Sequence, residues 1–445
     1  LDHPPDLLSL ADARPVWKIW MHMGEEFHPP LYSIALRLWR DLFGSTEAAT
    51  RSLSALAGML GILCIFDVGR LAHGRVAGLW AATIFAVAGP QVEFAQDARG
   101  YTLVVLFGLC ALAAMVRIEV KGVSRRRLVA LGVSVLAMML THYVGIPVAV
   151  ALGFYSLVRL RGKVRWKTAA AILTAGIIYG AIWAPFMPAQ RKTAASVEND
   201  FLLVGPWSRL YAIEHLASLP IRLLGPPVEK EIASTWPACI VYFLPLLLWR
   251  KNRFLSLWLF WLLGAAGLFA MMDQINRTHQ LSYPRYVLMC GPGFYLIFAG
   301  LLADAKKRWM QHVVPALVIV FCLVSLPSSY AQWRWPDWRA IAQGVDEMKK
   351  PNDLVAVASE GKRDWFSGLY MSYAFYSREK PKNALILVRP ADAVLREQLR
   401  AFSGVVLING TNRPPTSLFP GYRVVKSDPF LPFVTTFRLE REKAE

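Results

Sequence analysis

Residues 101–117, YTLVVLFGLCALAAMVR, decide the fold. The run carries no charged side chain before Arg117, and an α-helix needs about 20 mainly apolar residues to cross the hydrocarbon core of a bilayer. Outward from it lie Gln96-Asp97-Ala98-Arg99-Gly100 on one side and Arg117, Lys121, Arg125, Arg126 and Arg127 on the other. Comparable runs recur near residues 47–70, 76–93, 127–140, 143–159, 169–187, 233–249, 254–272, 285–303 and 311–328. Residues 127–159 are too long for one span and are divided at Thr141-His142-Tyr143. Together the runs predict about ten spanning helices and an α-helical polytopic membrane protein. Composition agrees: 55% of the 445 residues are hydrophobic, with 16 Trp and 23 Phe, against about 45–50% apolar residues in soluble domains.

The net charge of +18 raises nucleic acid as a partner, but the placement of the charge argues against it. Basic residues fill alternate short loops: Arg70 and Arg75; Arg117 to Arg127; Arg159, Arg161, Lys163, Arg165 and Lys167; Arg250, Lys251 and Arg253; Lys306, Lys307 and Arg308. The opposite loops are poor in Lys and Arg. Such alternation is a topology signal, with the basic loops cytoplasmic. Residues 1–46 and everything after about residue 328 are then expected outside. An outer start with no preceding span leads to the expectation of a further helix ahead of Leu1.

Three parts are expected: a first outer loop with juxtamembrane helices over residues 1–45, a membrane domain over 46–330, and a small extracytoplasmic α/β domain over 331–445. In that tail, β-rich runs at 353–359, 384–388, 405–408, 422–425 and 433–437 alternate with helical patterns at 337–349, 365–376 and 391–402. It carries no glycine-rich phosphate loop and no nucleophile–base order, so support or acceptor binding is expected of it. The five cysteines all fall in apolar segments without metal-ligand spacing, and no disulfide is expected.

The topology gathers polar residues on the outer side, including six of the eight histidines. Four stretches carry possible chemistry. In Glu25-Glu26-Phe27-His28-Pro29-Pro30-Leu31-Tyr32, two prolines forbid a helix interior and fix a stiff entry to the next helix. In Glu93-Phe94-Ala95-Gln96-Asp97-Ala98-Arg99-Gly100-Tyr101, Arg99 suits a phosphate and Asp97 suits a base or an orienting partner. An Asp–Arg pair anchoring a helix start is the plainer alternative. Thr141-His142-Tyr143 forms a tight outer turn. In Ser282-Tyr283-Pro284-Arg285-Tyr286, Arg285 reads equally as an interfacial anchor or a phosphate ligand.

In this order the stretches resemble the polytopic glycosyltransferases of the GT-C fold. The resemblance is to the bacterial protein-mannosyltransferase-like branch, which includes the lipid A aminoarabinose and galacturonic acid transferases. It is carried by His28-Pro29-Pro30-Leu31-Tyr32, by Phe43-Gly44-Ser45-Thr46-Glu47-Ala48-Ala49-Thr50-Arg51-Ser52-Leu53, by Gln96-Asp97-Ala98-Arg99-Gly100-Tyr101, by Thr141-His142-Tyr143 and by Tyr283-Pro284-Arg285-Tyr286, with Asp337-Trp338-Arg339 opening the tail.

The resemblance implies transfer of a sugar from a polyprenyl-phosphate donor to a hydroxyl of a lipid, glycan or protein. It places this at the outer face of the bacterial cytoplasmic (inner) membrane, with the tail periplasmic. Arg99, Arg285 and Tyr101 then serve the donor phosphate, and His28, Glu25, His142, Tyr143 and Tyr283 bind substrate or hold the site. Catalytic carboxylates are sought in Asp97, Glu26 and Asp2. The family places an Asp-Glu pair two to three dozen residues before its His-Pro-Pro. Here Asp2 followed by His3 stands at that distance, so the base is either Asp2 or a residue ahead of Leu1. A divalent metal on Glu25 or Glu26 with His28 stays open. Alternatives are a lipid-linked polysaccharide ligase or polymerase, and a transporter or flippase. A transporter would call for charges at the bilayer midplane and repeated broken helices. Asp67, three residues before Arg70, reads instead as half of a local pair.

Overall fold

The computed structural model describes residues 15–22, 28–190, 208–225, 253–303, 307–331, 337–359, 372–377, 384–387, 397–410, 415–430 and 434–442, with positions 10, 13, 305 and 369. The chain divides into two compact units, one spanning Arg14–Ala331 and one containing Gln332–Glu445.

The first unit is helical: α1 Val16–His22, α2 Leu31–Phe43, α3 Glu47–His73, α4 Arg75–Val87, α5 Gly89–Ala95, α6 Tyr101–Lys121, α7 Arg125–Thr141, α8 Gly145–Arg159, α9 Gly162–Trp183, α10 Ser208–Arg222, α11 Arg253–Asn276, α12 Pro284–Val287, α13 Cys290–Ala303 and α14 Arg308–Ala331. Among the described residues, five helices are long and apolar enough to cross a membrane, or six if α4 and α5 are one bent span. Helices α8 and α13 are apolar but shorter. The expected span at 233–249 lies outside the described residues.

Local chemistry sets several helix ends. The Thr46 hydroxyl accepts from the Ala49 N–H at 3.2 Å and caps α3, with Glu47 in its first turn. Ser124 caps α7 in the same way. Helices α3 and α4 approach so closely that a Cβ on Gly69 would lie 2.9 Å from the Gly78 Cα, which only glycine permits.

Two spans depart from expectation. Residues 76–93 are not one helix. Gly89-Pro90 starts a new one at 60° to α4, because Pro90 lacks an N–H and its ring crowds the preceding turn. The Gly89 N–H, freed by the break, donates to the Leu224 carbonyl at 3.1 Å. Residues 285–303 likewise divide into α12 and α13.

The interior is packed by large aromatics whose polar tips are satisfied. Trp183, Trp258 and Trp261 are fully buried. Their indole N–H groups donate to the Tyr143 hydroxyl at 2.9 Å, to His73 Nε2 at 2.9 Å and to the Met289 carbonyl at 2.6 Å. The local pair expected at Asp67 and Arg70 is present at 2.6 Å, and Arg117 of α6 joins it. Cys64, Cys110, Cys290 and Cys322 are free thiols, and Cys239 lies outside the described residues.

The second unit holds α15 Trp338–Met348, β1 Asp353–Ser359, β2 Ala384–Leu387, β3 Gly404–Gly410, α16 Pro415–Leu418, β4 Tyr422–Phe430 and β5 Val434–Arg441. The sheet order is β2-β1-β3-β5-β4, parallel across the first three strands and antiparallel across the rest. Central strands β1 and β3 bury both faces. Val355, Val357, Val406 and Ile408 meet α15, while Leu354, Ala356, Val405 and Leu407 meet Leu399, Leu418 and Phe419. The expected helix at 365–376 lies largely outside the described residues. The described part of 391–402 ends in a single 3-10 turn at Leu399–Ala401. Inside the sheet, buried Asp353 accepts from Arg438 Nε at 3.0 Å and from the Ser403 hydroxyl at 2.9 Å.

Candidate active site

The candidate residues meet where α2, α3, α6, α7 and α12 end or begin. The 96–100 turn is fastened first. Thr102 Oγ1 donates to the Phe94 carbonyl at 2.7 Å, and Ser54 Oγ of α3 donates to the Arg99 carbonyl at 3.2 Å. The Tyr32 hydroxyl lies 3.3 Å from the same Ser54 oxygen. A Cβ on Gly100 would meet Tyr32 at 3.2 Å and Thr141 at 3.3 Å, so glycine lets the turn press against both helices. Arg99 is held beside Asp97, Nε to Oδ2 at 3.7 Å, with both side chains about half exposed.

His28 follows from the proline pair. Its ring packs on His142 with centroids 4.3 Å apart, and His142 packs in turn on Tyr101 at 4.9 Å. His142 is buried at the end of α7, where its Nδ1 accepts from the Val144 backbone N–H at 3.2 Å. Tyr143, expected to bind substrate or hold the site, is a strut. Its hydroxyl accepts from Trp183 and donates to Gln190 Oε1, and Gln190 Nε2 donates back to the His28 carbonyl at 3.4 Å. Gln190 carries no sequence signal for this task.

Arg285 opens α12 with its guanidinium over Tyr283 at 4.8 Å and over Tyr286 at 5.0 Å. Among the described residues it has no carboxylate partner, and its buried Nε has no hydrogen-bond acceptor. The loop before it is clamped by two buried charges the sequence did not single out for that task. Asp273 accepts from Thr278 Oγ1 at 2.6 Å and from the N–H groups of Gln280 and Leu281 at 2.9 Å each. Arg222 donates to the carbonyls of Leu281 at 3.1 Å and Ser282 at 2.6 Å.

The field ties these pieces together, since the charges of Arg99 and Arg285 both act on His28, His142 and Tyr101. Burial, then Arg99 and Arg285, push His28 down to about 4. His142 is lowered by burial first and then by His28, Arg285 and Arg99. Both rings are therefore neutral at neutral pH.

A histidine lowered on folding opposes folding wherever the unfolded chain binds the proton and the folded one does not. Stability is thus whole above about pH 6.5 and falls as pH drops from 6.5 toward 4. His28 keeps an exposed edge, so solvent screening holds its share of the loss well below what the full gap would give. Thermal unfolding of the detergent-purified protein should show midpoints falling through that window, and His28→Phe should flatten the fall.

Two guanidiniums beside neutral rings attract an anion and repel a cation. Among the described residues no group of three His, Cys, Asp or Glu side chains could hold a metal. Asp2, Glu25 and Glu26 lie outside the described residues. Asp97 is brought to Arg99, and its charge is felt at Tyr32.

Residues 27–188 match the family described as "Dolichyl-phosphate-mannose-protein mannosyltransferase". Among solved structures, ArnT from Cupriavidus metallidurans, bound to undecaprenyl phosphate, aligns with 96% of this chain and 93% of its own at 15% identity and a TM-score of 0.54. The oligosaccharyltransferase of Archaeoglobus fulgidus, in complex with Zn and sulfate, aligns with 83% of this chain and 57% of its own at 14% identity and a TM-score of 0.48. No curated protein matches the chain. The chain is a multi-pass membrane protein with the fold of the GT-C enzymes, and its residues 27–188 carry the match to the mannosyltransferase model.

Proposed function

We propose that this protein transfers a sugar from a polyprenyl-phosphate donor to an acceptor hydroxyl at the outer face of the bacterial cytoplasmic membrane. One observation carries the reading: Arg99 and Arg285 act together on one stacked pair of neutral histidines, and Arg285 has no carboxylate partner among the described residues. In the transfer, the acceptor oxygen bonds to the anomeric carbon while the carbon–oxygen bond to phosphate breaks, and the lipid phosphate leaves as an anion. Cations fixed where that charge develops stabilise the transition state without reorganising. The acceptor proton passes to a carboxylate, for which Asp97 is the candidate among the described residues. ArnT from Cupriavidus metallidurans binds undecaprenyl phosphate, which supports a lipid phosphate as the ligand here. The basic loops lie at the helix ends opposite the site, which supports the outer face.

The test is transfer of labelled sugar from a polyprenyl-phosphate donor by the purified protein in nanodiscs. Arg99→Ala should lower kcat/KM roughly ten- to a hundredfold, a moderate loss because Arg99 is half exposed and shares its charge with Asp97. Transfer unchanged in Arg99→Ala removes Arg99 as a phosphate ligand. The absence of transfer from any polyprenyl-phosphate sugar overturns the reading.

A further inference from the structure

The tautomer of His142 follows from its surroundings. Its Nδ1 accepts the Val144 backbone N–H at 3.2 Å, so that nitrogen presents a lone pair and the proton of the neutral ring sits on Nε2. That Nε2 is buried, and it has no acceptor among the described residues. An N–H donor left unpaired inside a protein costs about 1–3 kcal/mol, so a buried orphan in a native fold calls for a reason. The bond to Val144 explains a ring nitrogen at Nδ1, where a phenyl ring would leave the Val144 N–H unpaired, but it gives no use for the proton on Nε2. The surroundings state what would satisfy it. Among the described residues, the charges that act on it are the guanidiniums of Arg99 and Arg285, and there Arg285 also has a buried Nε without an acceptor. Two orphan donors in one cationic field call for an oxygen-bearing anion.

Resting on the function proposed above, we infer that His142 Nε2–H is a donor to a phosphate oxygen of the polyprenyl-phosphate carrier. Arg285 Nε donates to the same group, which satisfies both buried donors at once. The backbone of Val144 sets the tautomer and so aims a proton, not a lone pair, at the ligand. A lone pair there would repel the phosphate. The role is one of recognition: His142 stays neutral throughout and moves no proton.

The probe is a short polyprenyl monophosphate, titrated into the detergent-purified full chain and read as Kd. His142→Phe, which keeps an aromatic ring in the stack, should raise Kd about ten- to a hundredfold, as expected for one lost hydrogen bond to a charged group. His142→Gln, which restores a side-chain N–H, should return to within about threefold of the native value. His142→Phe also removes the acceptor of the Val144 N–H and should unfold at a lower temperature, so Kd is read well below its midpoint. His142→Gln, whose amide supplies both an acceptor and a donor, separates the lost donor from lost stability. A native Kd in His142→Phe overturns this inference while leaving the proposed transfer standing. Failure of the native protein to bind the probe overturns both. Phosphatidic acid and inorganic phosphate are the comparison arms. Equal affinity for either, with equal loss in His142→Phe, shows a generic phosphate site and overturns the carrier as its ligand.

Discussion

Arg285→Ala should reduce kcat/KM for sugar transfer by roughly 10²–10³, the usual consequence of removing one fixed donor from a site of charge development. The expected loss exceeds that for Arg99 because the two arginines are held differently. Arg99 is half exposed beside Asp97, so part of its charge is already answered. Arg285 lies over the rings of Tyr283 and Tyr286, with a buried Nε that has no acceptor and no carboxylate beside it among the described residues. Its charge is therefore available in full to an incoming phosphate. Arg285→Lys keeps the charge but loses the planar fork that rests on two aromatic faces, so it should recover only part of the rate. Steady-state kinetics with a polyprenyl-phosphate sugar would show both effects. Native kinetics in Arg285→Ala would leave Arg285 as an interfacial anchor.

Asp273→Ala should act on stability and site together. The carboxylate accepts three hydrogen bonds, two from the backbone N–H groups of Gln280 and Leu281. Alanine leaves those donors facing a space without an acceptor, at about 1–3 kcal/mol each, for a total on the order of 4 kcal/mol. The loop they hold leads directly into Tyr283 and Arg285, so loosening it should also weaken polyprenyl-phosphate binding. Asp273→Asn retains one carbonyl oxygen and should fall between. Differential scanning fluorimetry in detergent with a parallel binding titration would check both. A native midpoint in Asp273→Ala would show that the loop stands without its clamp.

The outline of the membrane unit was legible because crossing a bilayer imposes long apolar runs, as in α3, α6 and α11. Strands of the tail were legible because short β-branched runs such as 353–359 differ from their neighbours. The break at Ala88 was not. Pro90 sits within an apolar run, and whether a proline bends a helix or begins a new one depends on who accepts the freed N–H. Here that is the Leu224 carbonyl, 135 positions away in the chain. His28, Asp97, Arg99, His142 and Arg285 could be named from their motifs, but their mutual field could not. Arg222 and Asp273 escaped a site role because they bond to backbone atoms of residues 280–282, and side-chain patterns do not record backbone partners. Gln190 is a similar case, its link to His28 running through a carbonyl.

The loop that carries Arg285 is fastened by one anion and one cation. Asp273 takes the N–H of Leu281 and Arg222 takes the carbonyl of that same residue, so the residue lies between opposite charges that follow its own dipole. Such a fastening sums to zero. It grips the loop without lending net charge to the space beyond, and the pull on an arriving anion is left to the arginines that would touch it. A clamp built from two arginines would have drawn phosphate to the wrong place, and one built from two carboxylates would have turned it away.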